Sequence, residues 1–514
     1  MDQQSSEREQ EGGPPLAQKG MSPRAWAGVI ALTLGVRLYL FYNYYTINND
    51  GILYIEAARH FWEGEWGTGL ASFYPPLFPL MIAAAYAITG EWELAGQFWP
   101  LVLGVLVLLP LFGLLRRVYG LKVAQLAIFF YAVSPYLARL SLHVRSEVPY
   151  IFFLVLALYL LQRGLHGGGW VAFFSAGISS ALAYLIRSEG FGVVLIGTLF
   201  LLHRGWNQRR RKTIGLQLTL LLFGFALLAA PYILYLKHET GNWLISRKAG
   251  LIMSFGLADY DSDAERVGMK ESDRVSVIGM IASRPSVYAK KVFIDAFRSL
   301  GVYFEAVHYS YLPFLFIGWF FFFRGGFWEK GDFLLFAVIL FYLATFALLY
   351  VNRRYAVTLV PFSLGWVGLG FLTVQEYFHH RWKQTGYLLT GLVIVLFLVG
   401  TLPKTLQSIG REKFYLREAG VYLRGKPGNP TIVTTNGRVA FYAEGRNRVF
   451  IKGAKDLPAS LSTQGADYLA LDQEVFRQAA GMEYERHGWK VEREFSESHS
   501  SQERLLVLRK AANQ

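Results

Sequence analysis

Between residues 25 and 402 the chain alternates long apolar runs with short polar or basic turns. As helices, runs of about 20 residues match a bilayer hydrocarbon core of ~30 Å. Spans are predicted at 25–44, 94–115, 121–142, 147–162, 169–186, 190–203, 214–236, 308–324, 333–350, 356–376 and 386–402, about eleven by this criterion. The run 77–89 is apolar but only ~20 Å long as a helix, a length typical of an interfacial, re-entrant or buried segment. After residue 402 the pattern changes. A helix is predicted at 416–424, β-rich runs at 431–435, 468–471, 491–495 and 505–508, and a helical piece at 474–480. The expected fold class is a polytopic all-α membrane domain over 24–402 followed by a small α/β extramembrane domain over 403–514. Residues 1–23 are polar and read as a disordered tail. No small-residue cleavage site precedes the first apolar run, which therefore reads as an uncleaved anchor.

Composition agrees. Of 514 residues, 53% are hydrophobic, 16% aromatic and only 17% charged, against roughly 25% charged in soluble domains. With no cysteine, disulfides, thiolate metal sites and cysteine nucleophiles are excluded. The net charge of +14 would suggest nucleic acid in a soluble protein. Here it reads as the basic excess of cytoplasmic loops, and no nucleic-acid partner is expected. Charge also orients the chain. If 77–89 does not cross, then Arg116, Arg117, Lys122, Arg163, Arg204, the run Arg209-Arg210-Arg211-Lys212, Arg324, Lys330, Arg381 and Lys383 all lie in the cytoplasm, as the positive-inside rule requires. The N-terminus is then cytoplasmic. The loop 45–93, the loop 237–307 (with an amphipathic surface piece at 286–300) and the C-terminal domain lie on the other side.

That assignment leaves basic residues on the outer side that orientation does not explain. They sit in Arg145-Ser146-Glu147, Arg187-Ser188-Glu189 and Asn352-Arg353-Arg354-Tyr355. The first outer loop reads Asn48-Asn49-Asp50-Gly51-Ile52-Leu53-Tyr54, followed by Phe73-Tyr74-Pro75-Pro76-Leu77. Asp50 and Tyr54 are four apart and share a helical face. Asp50 is the candidate catalytic carboxylate, with helix N-capping as its structural alternative. Glu56 reads as a solvated acid, and the paired prolines as an extended turn into a short helix. Arg187 and Glu189 could simply pair with each other. Arg353 and Arg354, being adjacent, point apart, one toward lipid head groups and one toward a cavity. Arg37 lies inside the first span, where a charge is costly and faces the bundle; its structural alternative is a helix-aligning ion pair. A carboxylate that can take a hydroxyl proton, beside guanidiniums that bind phosphate bidentately, is the equipment for glycosyl transfer from a lipid phosphate.

On these residues the chain resembles the GT-C membrane glycosyltransferases, in the branch of protein O-mannosyltransferases and lipid A aminoarabinose transferases. The likeness rests on Asp50 with Tyr54, Ala58 and Gly64, then Tyr74-Pro75-Pro76-Leu77, Ser134-Pro135 and Ser146-Glu147. It continues through Ile186-Arg187-Ser188-Glu189-Gly190 and Arg354-Tyr355 with Pro361, and covers most of residues 25–380. The resemblance implies inverting transfer from a polyprenyl-phosphate sugar donor at a bacterial inner membrane, with the active site on the extracytoplasmic side. The acceptor would be a lipid-linked glycan, a lipopolysaccharide or a protein. Asp50 would be the base, and Arg187 and Arg354, with Arg353, would hold the donor phosphate. Tyr54, Tyr74, Glu147, Glu189, His308 and Tyr355 would line the donor or acceptor pocket. The chain departs from the family twice. The aminoarabinose branch has lysine before the proline of the loop motif, where this chain has Tyr74. Many mannosyltransferases have two acids in the first loop, where this chain has Asp50 followed by Gly51. No cofactor is required by this scheme and no spaced His/carboxylate set reads as a metal site, although a divalent-metal site assembled only in the fold is invisible to sequence. The alternative from another class is a transporter or flippase of lipid-linked sugars, with charges strung along the spans; a third is a non-catalytic scaffold.

Overall fold

The computed structural model describes residues 20–207, 211–260, 277–324, 333–428, 430–444, 448–450, 466–478, 488–497 and 504–510. Most of the expected N-terminal tail, Arg209, Arg210, Lys330, the end of the helix expected at 474–480 and part of the 237–307 loop lie outside them.

Every expected span falls on helix. Pro23–Tyr42, Glu147–Leu165, Gly169–Ile186 and Arg211–Thr240 match four predicted spans closely. The span expected at 94–115 is two helices, Trp92–Leu106 and Leu108–Tyr119, meeting at Val107. The span expected at 121–142 is broken at Ser134, which takes an extended ψ of 123° before Pro135, as a residue preceding proline prefers. Leu312–Arg324 and Phe333–Leu348 are shorter than the runs that signalled them, and Gly192–Asn207 begins and ends a few residues later than its run. A final helix, Val360–Thr405, takes in the last two predicted spans and is interrupted at Lys383 (φ 44°, ψ −114°). Among the described residues, six helical stretches are long and apolar enough to cross a bilayer, or seven if Pro285–Val307 and Leu312–Arg324, bent by 118°, count as one broken span. Leu77–Thr89 is a 13-residue helix, closed by Gly90 in the left-handed conformation (φ 65°).

The helix Pro285–Val307 is inside-out. Phe293 and Phe297 are exposed, while Lys291, Asp295 and Ser299 are buried. Lys291 pairs with Asp295 at 2.9 Å and donates to the Ala347 carbonyl at 2.7 Å. An apolar outer face with a satisfied polar inner face suits a segment against lipid. Arg37 faces the bundle as expected but finds no carboxylate among the described residues. It donates to the Thr33 carbonyl and lies over the Tyr131 ring at 5.3 Å, so a cation–π contact stands in place of the helix-aligning ion pair.

The C-terminal domain holds a five-stranded sheet in the order β2-β1-β3-β5-β4: β1 Ile432–Thr434, β2 Arg448–Phe450, β3 Tyr468–Asp472, β4 Trp489–Ser496, β5 Arg504–Lys510. β1 runs parallel to β2 and β3, and β5 antiparallel to β3 and β4. The helices Phe414–Arg424 and Gly437–Tyr442 join this sheet to the membrane domain. They do so through backbone just before Asp50. Tyr442 Oη accepts from the Ile47 amide at 2.8 Å and donates to buried Glu93 at 2.6 Å. Arg438 donates to the Ile47 carbonyl and Arg417 to the Tyr45 carbonyl. Ile409 exchanges backbone hydrogen bonds with Tyr45 and Asn43. The segment 43–47 is thus laced to the extramembrane domain along its length. Leaving a buried amide and a buried carboxylate unpartnered costs about 1–3 kcal/mol each. Tyr442→Phe is therefore expected to lower the melting temperature of the purified full-length protein by several degrees, and unchanged melting would contradict this account of the strap.

Candidate active site

Asp50 stands on the first turn of the helix Asn49–Trp62. Its structural alternative as N-cap is not realised. Asn48 is the cap, with its Oδ1 accepting from the Gly51 amide at 2.9 Å, which leaves the Asp50 carboxylate free to turn into the protein. Gly51 lies against the 144 backbone, where an added Cβ would sit 2.9 Å from Val144 Cβ. That approach gives a packing reason for a single acid here: a second carboxylate at position 51 has no room.

Asp50 Oδ1 accepts from the Tyr74 hydroxyl at 3.3 Å, and Oδ2 from Arg354 Nη1. Through Nε, the same Arg354 donates to Glu147. Glu147 also accepts from Arg187 Nη1 at 3.2 Å, and Arg187 Nη2 donates to Glu189 at 2.9 Å. Glu147 is completely buried at the start of its helix. It therefore orients the two arginines from behind and does not itself line a pocket, unlike the sequence expectation. The expected Arg187–Glu189 pair forms, but as one link of a five-residue chain of alternating charge. Arg187 is further held over the Tyr355 ring at 4.8 Å. Tyr54 stacks on Tyr74 with centroids 4.1 Å apart and bonds to Ser146 Oγ at 2.8 Å, so the face shared by Asp50 and Tyr54 becomes one wall of the site.

A narrow cleft of about 70 Å³ opens beside this chain. Tyr54, Tyr74, Arg187, Glu189 and Tyr355 line its polar end, and Ile252, Phe346, Leu349 and Tyr350 its apolar end. At the junction stands Lys248, which the sequence reading missed. Its Nζ lies 4.7 Å from the Tyr74 ring centroid and 5.7 Å from that of Phe73. No carboxylate pairs with it among the described residues. A helix in the 237–307 loop thus sets a cation beside Tyr74. Gly256, about two turns along that helix, seats it: an added Cβ would fall 1.9 Å from the Leu349 carbonyl oxygen. The available signal was a single lysine opening the otherwise apolar helix Lys248–Ala258.

Two expected site residues lie elsewhere. Arg353 ion-pairs with Glu305, lies over Tyr136 at 5.2 Å and does not line the cleft. His308, with an unusual φ of 75°, bonds to Ser310 Oγ and lines a separate groove. Its positive φ and that bond aim the ring away from Asp50. Among the described residues, the metal-capable trio His60, Glu63 and Glu65 lies at the far end of the Asn49–Trp62 helix, remote from the Asp50 carboxylate.

The electrostatics follow from this arrangement. Burial pushes the Asp50 carboxyl up, but Arg354 and then Arg145 outweigh it and hold the group below its ordinary range. Burial pushes the Lys248 ammonium down, helped by Arg187 and Arg354, to about 8. Asp50, Glu147 and Glu189 thus face Arg145, Arg187, Arg354 and Lys248, leaving one positive charge in excess, opposite in sign to one phosphodiester.

A family model described as dolichyl-phosphate-mannose-protein mannosyltransferase matches residues 74–235. A relative of uncharacterised function from Aquifex aeolicus (strain VF5) is 30% identical over 127 residues, 24% of this chain and 26% of the relative, so the match spans about a quarter of that protein. Two solved structures share the architecture. ArnT from Cupriavidus metallidurans, bound to undecaprenyl phosphate, superposes with a TM-score of 0.59 at 13% identity, covering 96% of this chain and 100% of ArnT. The archaeal oligosaccharyltransferase AglB from Archaeoglobus fulgidus, in complex with an inhibitory peptide and a dolichol-phosphate, gives 0.53 at 13% identity, covering 87% and 69%. The chain has the GT-C fold of membrane glycosyltransferases, as its loop motifs suggested.

If Arg354 is what keeps Asp50 ionised, Arg354→Gln will move the acidic limb of the pH–activity profile to higher pH, toward the ordinary carboxylate range. A limb that stays in place would assign the shift to another group.

Proposed function

We propose that this protein transfers a glycosyl group from a polyprenyl-phosphate donor to an acceptor on the extracytoplasmic side of a bacterial inner membrane, with Asp50 as the catalytic base. One observation carries the reading. Arg187 and Lys248 line the polar end of an apolar-ended cleft, and behind it Arg354 joins the ionised Asp50 carboxylate to Glu147, which Arg187 also holds. The likeness to a structure bound to undecaprenyl phosphate and to another bound to dolichol-phosphate supports the same donor class. The basic turns opposite this end of the bundle support the orientation, with the 45–93 loop, the site and the C-terminal domain outside.

In this reading the isoprenoid lies along Ile252, Phe346, Leu349 and Tyr350, and the phosphate takes the place beside Lys248, Arg187 and Arg354. The acceptor oxygen attacks the anomeric carbon from the face opposite the phosphate and forms the new C–O bond. The bond from that carbon to the phosphate oxygen breaks, its electron pair leaves with the polyprenyl phosphate, and configuration inverts. The acceptor's hydroxyl proton passes to Asp50. Because Arg354 keeps Asp50 weakly basic, this transfer comes late, after bond formation has made the hydroxyl acidic. The cations stabilise the charge growing on the leaving phosphate, and Tyr74 orients Asp50. A transporter of lipid-linked sugars is disfavoured because the paired charges gather at one end of the bundle rather than along a path through it.

Asp50→Asn should lower transfer from a panel of undecaprenyl-phosphate-linked sugars by about 10²–10⁴-fold while undecaprenyl phosphate still binds within a few-fold of wild type; near-normal turnover would remove Asp50 from the chemistry. Since Lys248 loses its charge as pH rises through about 8, kcat/KM for the donor should decline there. In Lys248→Arg that decline should move up by more than one pH unit. The same descending limb in both proteins would exclude Lys248 from the phosphate site.

A further inference from the structure

The helix that presents Lys248 is fastened near both ends by polar contacts. Just before it, Arg247 donates to the Ala71 carbonyl at 2.7 Å, and Tyr184 to the Ile245 carbonyl at 2.7 Å. Its middle packs through Met253 and Leu257 on Val287, Tyr288 and Leu349. Apolar contact is non-directional and does not stop a helix from sliding along its axis. A slide of one residue is ~1.5 Å, and the cleft beside Lys248 holds only about 70 Å³. Misplacement by ~1 Å in a reacting site can cost about a hundredfold in rate. At the other end the fasteners lie on the helix Pro285–Val307. Asp259, the C-cap residue of the Lys248 helix, pairs with Arg298 at 2.8 Å. Tyr260 donates to Asp295 Oδ1 at 3.0 Å.

Pro285–Val307 also grips a second wall of the cleft. The last carbonyls of a helix have no partner within it. At the end of Phe333–Leu348, Lys291 Nζ donates to the Ala347 carbonyl at 2.7 Å and Tyr288 to the Leu348 carbonyl at 3.3 Å, and the ammonium meets the negative end of the helix dipole. Phe346, Leu349 and Tyr350, from this wall, line the cleft together with Lys248. Lys291 in turn pairs with Asp295 at 2.9 Å. A chain of polar contacts therefore runs from wall to wall, through the Ala347 carbonyl, Lys291, Asp295 and Tyr260. The Lys248 helix meets this seam at Gly256, where an added Cβ would lie 3.0 Å from Lys291 Cε. Lys291 and Asp295 are 0% and 2% exposed. A pair so deeply buried adds little net stability, and apolar side chains of similar volume often serve as well. What charge and hydrogen bonding supply in addition is direction, which fixes the spacing of the elements they join.

We infer that Lys291, Asp295 and Arg298 are positioning residues for the donor cleft: they seat the Lys248 helix against the end of Phe333–Leu348, and so set where the Lys248 ammonium stands and how wide the cleft opens. The part played in donor binding rests on the transferase reading above; the seating of the helix does not. None of the three lines the cleft, so their influence passes through Lys248 and the wall beside it. The outer link is open to cutting. Arg298 and Asp259 are 48% and 51% exposed, and an ion pair so exposed contributes little to stability. Tyr260 can lose its hydroxyl while the buried Lys291–Asp295 pair stays intact.

Binding of undecaprenyl phosphate to the full-length protein in phosphatidylcholine nanodiscs tests this without turnover. Tyr260→Phe/Arg298→Gln frees the end of the Lys248 helix. It should weaken binding about tenfold, as coupled neighbours do, with melting within a few degrees of wild type. Arg298→Lys, which can still pair with Asp259, should keep affinity within about threefold of wild type. Lys291→Met/Asp295→Leu fills the volume of the buried pair without its directions, and should lose affinity about as far as Tyr260→Phe/Arg298→Gln while melting like wild type. Because the influence passes through Lys248, Tyr260→Phe/Arg298→Gln should add little further loss in a Lys248→Gln background. Hydrogen exchange without the lipid probe reads the seating directly. In Tyr260→Phe/Arg298→Gln the amides of 248–258 should exchange about tenfold faster than in wild type, and those of 49–62 at the same rate. Undiminished binding in either double variant, an Arg298→Lys loss as large as theirs, a full further loss in the Lys248→Gln background, or exchange that rises equally in both helices would each overturn the proposal. Undecaprenyl phosphate binding that survives Lys248→Gln and Arg187→Gln would count against the donor reading, and the exchange comparison would then decide the seating by itself.

Discussion

Arg354 carries the electrostatic arrangement of this end of the bundle. Its guanidinium spans from Asp50, on the first outer helix, to Glu147, at the head of another helix. Glu147 is entirely buried, and a lone carboxylate there would be protonated or expelled. Held between Arg354 and Arg187, it becomes an anchor of fixed charge from which two cations are aimed. The catalytic candidate and the phosphate-binding candidates therefore share one support. Moving Glu147 would shift Asp50, Arg354 and Arg187 together, which is how a site assembled from the ends of four helices keeps ångström-level geometry.

The close opposition of acids and cations in that cluster also frames what a substrate contributes. Ion pairs buried in low dielectric stabilise little in net energy, because desolvation opposes attraction. What they provide is direction: donors whose hydrogens already point where charge will develop. Lys248, which makes no ion pair among the described residues, marks where an anion is expected to enter the cleft.

Asp50, Tyr74 and Arg354 were legible in the sequence because each interrupts a strong pattern. An acid and a proline pair follow a span, and an arginine stands where orientation does not want one. The spans were legible for the same reason, since apolar length is a local property. Pairings were not. Glu147 meets Arg187 across 40 residues and Arg354 across 207, and no local periodicity encodes that. Arg353 and Arg354 are neighbours in sequence, but one pairs with Glu305 and the other with Asp50 and Glu147, a division that only the helix start at Asn352 decides. Lys248 was hidden because its helix reads as a plain apolar segment, and strand β2 because three residues are too few to show alternation. Asn48 took the cap position because its side chain, one residue before the helix, reaches the Gly51 amide, a choice between adjacent polar residues that composition alone leaves open.

The lacing of residues 43–47 to the C-terminal domain has a consequence in time. The hydrogen bonds from Tyr442 and Arg438 to Ile47 join residues 395 and 391 positions apart. Synthesis proceeds from the N-terminus, so the loop bearing Asp50 emerges early and waits for its fasteners until residues 438 and 442 have been made. A half-built chain would hold its carboxylate on slack backbone. The geometry around Asp50 is therefore set by side chains that join the chain some 390 residues later.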